Sequence, residues 1–468
     1  MTRTIAAAHL LLPDGWASPG HVVSGEDGTI VEARPGMAQR PQLTLDGFVV
    51  PGIANLHSHA HHRGLVGHAD RLSPGAPATL WSWREMMYRH LLQLTPDDLE
   101  AYATLAYVEM LRRGYTSVGE FHYVHHDRDG SRYANPVELS ERIVAAAQTA
   151  GIALTLLPTF YAAGGIGRSP EPEQRRFTTE LDEYLAMVAR LDALADRHPT
   201  LRVGIAPHSL RAVPAAQLAE LLADRPTGPV HIHAAERTEE VDEVLATLAA
   251  RPIEWLLENA DVDERWCVIH ATHMTDSERR ALAGSCAVAG VCPLTEANLA
   301  DGRFPLADYR RDGGRLGIGT DANHLIDLPG ELRMLEYGQR LKFHRRETAL
   351  IDGELSVGAA LRELAAAGGA QALAQPTGAI KPGARCDLVE LDPDDRALIG
   401  QTPETALDAW IFSSASESIV RTVLVGGVAV VTDGHHPAEQ AAQRHADATM
   451  RRLHDAYAGP VASGPLIG

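Results

Sequence analysis

Apolar residues in this chain fall in short unbroken runs, separated by longer stretches with helical spacing. Residues 152–160 are nearly all apolar, the pattern of a strand covered on both faces. Comparable runs occur at 54–59, 116–121, 203–207, 230–234, 267–271, 287–292 and 316–319, making eight in all. Helical stretches lie between most of them. At 95–114, Thr95 is a cap with Asp97 and Asp98 in the first turn. Leu99, Ala103, Ala106 and Met110 follow as the apolar positions, and Gly114 stops the helix. Asn135-Pro136 predicts the start of a second helix and Gly151 its end. Strands alternating with helices predict a parallel sheet. Eight such units predict a closed (β/α)8 TIM barrel, with its chemistry at the C-terminal strand ends. An open doubly wound sheet wants a glycine-rich phosphate loop after its first strand, and the sequence has none there.

The two ends of the chain read as β. Residues 1–50 suggest short strands with turns at Asp14-Gly15, 25–28 and Pro35-Gly36, and residues 29–33 alternate as a strand should. Beyond 375, strands are predicted at 384–391 and 420–431, with turns at Gly426-Gly427 and Asp433-Gly434, then a helix at 437–457. The expected organisation is an α/β barrel at 51–375. Residues 1–50 and 376–468 would together form one small β-sandwich domain with a C-terminal helix.

Composition narrows the partners. The 468 residues are 45% hydrophobic and 22% charged, ordinary values for a globular protein. A net charge of -19 argues against binding nucleic acid or an anionic membrane. No run approaches the ~18 apolar residues of a membrane helix, and the N-terminus lacks a signal-peptide core. Cys267, Cys286, Cys292 and Cys386 show no paired spacing, so reduced thiols in a cytoplasmic protein are expected. Nearly all positive charge is arginine, since Lys342 and Lys381 are the only lysines.

Candidate chemistry gathers at the strand ends. In the stretch 51–63, PGIANLHSHAHHR, His57 and His59 lie two apart on a strand and share a face, where they can grip a divalent metal. Taken singly each such residue has a bland explanation. An isolated HxH can be a surface turn, His208 a core histidine, Glu120 a loop cap and Asp321 a helix cap. Together, HxH, His208, His233 with Glu236, His270 and Asp321 end five barrel strands. His57, His59, His233 and Asp321 make a nitrogen-rich site with one carboxylate, which suits Zn2+ better than Fe2+. His231 shares a strand face with His233 but lies one layer deeper. A bridging lysine is excluded because both lysines fall beyond the strands, so one metal is expected. Such a metal lowers the pKa of its water toward ~7. Asp321 can take the water proton, Glu236 can pass one to a leaving nitrogen, and His270 can polarise the electrophile.

HSH after the first strand, HAAE after the fifth, His270 after the sixth and TD after the eighth resemble the amidohydrolase superfamily, in its one-metal deaminase branch. Longer strings are similar to the formiminoglutamate deiminase family of histidine catabolism. They are LWSWREMMYRHL at 80–91, EFHYVHHD at 120–127, PHSLRAV at 207–213, WCVIHATH at 266–273 and TEANLADGRFP at 295–305. The resemblance implies zinc on His57, His59, His233 and Asp321, and proton transfer by Glu236, His270 and Asp321. It also implies substrate contacts from Arg84, Tyr123, His208 and Arg211. The implied substrate is a small dicarboxylate amidine, which suits guanidinium forks, and the products are N-formyl-L-glutamate and ammonia. A homodimer is expected. Two departures stand out: His62 where the family commonly has glutamine, and Ala322-Asn323-His324 after Asp321 where it often reads Ser-His. Another formimino or guanidino acid is an alternative substrate, as is a nucleobase or pterin. A nucleobase would call for aromatic stacking surfaces, yet aromatics are only 5% of the chain. A non-catalytic scaffold of the same fold would be expected to have lost ligands, and here the full set stands.

Overall fold

The computed structural model describes residues 2–67, 80–414 and 419–457, with the side chains at 80–83 and 454–457 outside that description. Trp81 and Trp83, the sequence neighbours of Arg84, are therefore outside it. The eight expected barrel strands are all present. In order they are Ile53–Ser58, Tyr115–His122, Ala153–Phe160, a divided fourth at Leu201–Val203 and Ala206–Pro207, Val230–Ala234, Trp266–His270, Val288–Val291 and Arg315–Ile318. Strands one to four pair in parallel in sequence order, and so do five to eight. Parallel bridges close the seams. Ile205 and Ser209 meet Val230 and His233, and Ser58 meets Asp321. The second seam is the one that matters for chemistry, because the Thr320 N–H donates to the His57 carbonyl at 3.0 Å.

The barrel floor is sealed by the helix Val357–Ala372. Leu56, Cys267, Ile269 and Val288 from the strands pack with Ala372 and Leu373 in one buried cluster. Two glycines allow the close approach. A Cβ on Gly368 would sit 1.9 Å from the Leu316 carbonyl, and one on Gly317 would lie 2.8 Å from the Gly369 nitrogen. Any side chain at Gly368 would thus push the helix off the strand that leads into Asp321.

The chain ends meet in one eight-stranded sheet. Its central strand Leu43–Pro51 pairs in parallel with Arg3–Leu12 and antiparallel with Leu388–Leu391. The sheet closes over its own core of Ile5, Leu10, Val22, Leu45, Val49 and Leu424. Ile30 N–H donates to the Ala384 carbonyl at 2.7 Å, and Cys386 N–H to that of Gly28 at 2.8 Å. Only Gly52 separates this sheet from the first barrel strand, so the sheet fixes where the HSH segment begins.

Local predictions shift in places. Thr95 and Asp98 form a reciprocal capping box on the helix Pro96–Arg112, which the sequence anticipates. The next helix begins at Glu138 rather than at Pro136, because the Asn135 side chain and carbonyl hold a turn there first. The strand expected at 384–391 is regular only over Leu388–Leu391. The sequence reading did not single out a helix at Pro403–Ser413, which buries Trp410. Among the described residues no helix is long and apolar enough to cross a membrane.

Candidate active site

Strand alternation sorts the HSH segment. His57 and His59 turn into the barrel mouth, while Ser58 points away and donates to the Glu120 carboxylate at 2.7 Å. That carboxylate also accepts from Ala60 N–H at 2.7 Å and from the Tyr107 hydroxyl at 3.0 Å. Burial pushes Glu120 up to about 7. Glu120 thus braces the residues on both sides of His59 from behind, Ser58 through its hydroxyl and Ala60 through its N–H.

The imidazoles are held by their far nitrogens. His59 donates from Nδ1 to the Phe121 carbonyl at 2.9 Å, and His233 from Nδ1 to the His208 carbonyl at 3.0 Å. A carbonyl can only accept, so each Nε2 keeps its lone pair for the cavity side. His57 and His233 bring their Nε2 atoms to 3.2 Å. Ligand atoms of His57, His59 and His233 all lie within 4.8 Å of one another. Asp321 Oδ1 is 3.4 Å from His57 Nε2 and 3.3 Å from His59 Nε2. Burial holds all three histidines below the ordinary range, which favours the neutral, metal-binding form. Three buried imidazole nitrogens beside one carboxylate fit a single divalent metal. His231 takes no part, since its Nε2 donates to the Ala372 carbonyl at 2.8 Å in the floor.

Backbone strain marks the same rim. Ala235, His270, Ala271, Asp321 and Asn323 adopt φ of 52°, 69°, 46°, 44° and 52°. Left-handed conformations in non-glycine residues cost roughly 1–3 kcal/mol each and persist only where the surroundings enforce them. At Asp321 the enforcement is visible, since its N–H donates to the His57 carbonyl and its own carbonyl accepts from His59 N–H, both at 2.9 Å. Asn323 donates to Ser58 Oγ at 3.1 Å, so this departure from the family braces strand one, while Ala322 faces the cavity.

A cavity of about 460 Å³ opens above the histidines. Its walls include His59, His62, Arg84, Tyr123, His208, Arg211, His233, Glu236, His270 and Asp321, every expected site residue except His57, which lies fully buried. Two charge groupings stand out. Arg84 and Arg211 both act electrostatically on Tyr161 and His208. The Nε of Arg84 donates to the Tyr88 hydroxyl at 2.6 Å. The Nε of Arg211 is buried with no hydrogen-bond partner among the described residues. Glu236 and Asp321 act instead on His270. Burial alone would depress His270, but Glu236, Glu296 and Asp321 outweigh it and raise the imidazole to about 10.

Two features could not be read from composition. His61 and His62, adjacent polar residues in the sequence, lie in a buried 3-10 turn, Ala60–Leu65, because the apolar and histidine side chains there pack inward. His62 faces the cavity, and its Nε2 lies 2.7 Å from the Tyr123 hydroxyl. The low aromatic content also misleads, since Tyr88, Tyr123, Tyr161 and Phe177 all line this one cavity. The residue-by-residue reading did not single out Glu240, whose carboxylate accepts from Glu236 N–H at 2.9 Å, or Glu296, which lies 3.2 Å from His270 Nδ1. Glu240 carries a faint sequence signal as the first-turn carboxylate of the helix Thr238–Leu248.

Comparison with known proteins agrees with this geometry. Residues 48–430 match the amidohydrolase family. The chain is 45% identical over 442 residues to a formimidoylglutamate deiminase of Pseudomonas aeruginosa, covering 94% of this chain and 97% of that one. It is 30% identical to a 5-methylthioadenosine/S-adenosylhomocysteine deaminase of Natronomonas pharaonis, covering 92% and 93% respectively. A crystal structure of an amidohydrolase from Brucella melitensis superposes with a TM-score of 0.91 at 42% identity, covering 97% of this chain and 100% of that one. A zinc-bound adenosine deaminase from Xanthomonas campestris shares the fold at 0.79 and 23% identity, covering 97% and 98%. Barrel, terminal sheet and histidine cluster together place this chain in the amidohydrolase family.

Proposed function

We propose that this chain hydrolyses N-formimino-L-glutamate to N-formyl-L-glutamate and ammonia, a C–N hydrolysis of histidine catabolism, with one zinc ion at His57, His59, His233 and Asp321. The carrying observation is that one cavity presents two arginines and two carboxylates at different places. Arg84 and Arg211 gather beside Tyr161 and His208, while Glu236 and Asp321 gather around His270. A dicarboxylate with a cationic amidine has the complementary arrangement. Arg211 and Arg84 receive the two carboxylates, and His62 holds the Tyr123 hydroxyl in place on the cavity wall.

Zinc, when bound, supplies a Lewis acid that makes water nucleophilic at neutral pH. Asp321 accepts the proton that the water gives up. His270, kept protonated by its carboxylate neighbours, donates toward the reacting carbon's substituents. Glu236, with Oε1 3.9 Å from His270 Nε2, carries the proton to the nitrogen that leaves as ammonia. Four free cysteines, three of them buried, suit a cytoplasmic protein, and we infer a homodimer.

The aromatic wall favours a second reading, deamination of a purine nucleoside, the activity for which the Natronomonas pharaonis relative is named. Ammonia release decides between them. The zinc-loaded protein is expected to release ammonia from N-formimino-L-glutamate and barely from adenosine, guanine or cytosine. The reverse preference would overturn the assignment while leaving the fold untouched.

A further inference from the structure

We propose that Glu296 is a positioning residue for this reaction, one that fixes the ring and proton placement of His270 without touching substrate. The inference rests on the catalytic reading of His270 given above. Glu296 is 2% exposed and does not line the cavity. Its Oε1 lies 3.2 Å from His270 Nδ1 and accepts from the Cys292 N–H at 2.8 Å. One oxygen thus ties the His270 ring to the main chain at the end of the seventh strand.

That oxygen is itself held. Glu296 sits in the helical turn Pro293–Asn298, whose Leu294 N–H donates to the buried Glu331 carboxylate at 2.8 Å. The Thr295 hydroxyl donates to the Thr320 carbonyl at 3.1 Å, next to Asp321. The support therefore reaches His270 from the seventh strand end and is anchored at the eighth. A carboxylate can only accept here, so Nδ1 must carry a proton, and Nε2 is left facing Glu236. Alanine in the same place removes the acceptor from both the Cys292 N–H and the ring, whereas glutamine can still offer its amide oxygen to both but without the negative charge. A purely structural Glu296 would need only the Cys292 bond, and its loss would not move the proton on His270.

The test compares wild type with Glu296→Gln and Glu296→Ala, each zinc-loaded, using ammonia release from N-formimino-L-glutamate. Loss of a group that orients an active-site histidine typically costs ~10–100-fold. That loss is expected in the kcat of Glu296→Ala, with a smaller one in Glu296→Gln, and with KM and metal content at wild-type values. A wild-type kcat in Glu296→Ala, or a loss confined to KM or to metal content, would overturn the proposal. A second readout is independent of turnover. Nitrogen NMR of histidine-labelled, metal-free protein, with His270 assigned by its absence in His270→Asn, should show a protonated, hydrogen-bonded Nδ1 in wild type that is lost or altered in Glu296→Ala. An unprotonated Nδ1 in wild type refutes the positioning role even if the substrate is a different amidine. Conversely, a wild type that ignores formiminoglutamate but shows the expected Nδ1 signature would sink the substrate assignment and leave the role of Glu296 standing.

Discussion

Replacing Arg211 with methionine tests the substrate end of the cavity most sharply. Its Nε is buried and lacks a hydrogen-bond partner among the described residues, so the guanidinium bears a desolvation cost that a bound carboxylate would offset. A hydrogen bond to a charged group contributes ~1.5–3 kcal/mol. At ~1.4 kcal/mol per tenfold, its loss weakens binding by ~10–150-fold. The upper part of that range is expected if the contact is bidentate. Methionine keeps most of the apolar stem, so cavity shape changes little. One side effect is foreseeable. Burial raises the Glu240 carboxyl and Arg211 is the leading influence lowering it, so Glu240 protonates more readily in the variant. Its hydrogen bond from Glu236 N–H then weakens, and kcat should slip by less than ~tenfold. Steady-state ammonia release gives KM and kcat, and elemental analysis gives zinc. The expected result is a large rise in KM with zinc unchanged. A variant with normal KM, or one that loses zinc, would refute the assignment of Arg211 to the substrate carboxylate.

Three further outcomes are expected. Metal analysis of the purified protein should find about one tightly held ion per chain, and chelation should abolish activity that zinc restores; two tight ions would contradict the site. Glu120→Ala strands the Ala60 N–H and two hydroxyls, so urea unfolding should show a loss of about 3 kcal/mol and metal affinity should drop ~10–100-fold; unchanged values would show that Glu120 braces nothing. For His270, raised from 6.5 to about 10 in the fold, the protonated form is the one favoured by folding. Its stabilisation is therefore complete below pH 6.5 and lost as pH rises toward 10, so in metal-free protein the stability gap between wild type and His270→Asn should narrow across that window. A gap independent of pH would remove the ion-pair account of His270.

Much of this protein was legible in its sequence because local physics is written with a period. A strand buried on both faces must be continuously apolar, which exposed all eight barrel strands, and the eight-fold alternation with helices left few closed topologies. The two-residue period of a strand put His57 and His59 on one face before any fold was known. The strings around Arg84, Tyr123, His208 and Arg211 carried enough identity to place those side chains at the same cavity. Periodicity says which face is buried but not what it is buried against. The pairing of 388–391 with 43–51 joins segments more than three hundred residues apart, and only the closed sheet selects it. His61 and His62 look like a polar turn by composition, and their burial comes from elements packed over them. Glu120, Glu240 and Glu296 are ordinary carboxylates in the linear text. Barrel closure gives Glu120 and Glu296 their tasks by bringing them within hydrogen-bond reach of Ser58 and His270, whereas Glu240 meets the Glu236 N–H locally, four residues on. The sequence by itself determined which strand face carries His57 and His59, and the tertiary structure decided what holds that face still, since support of that kind depends on distances that no local period encodes.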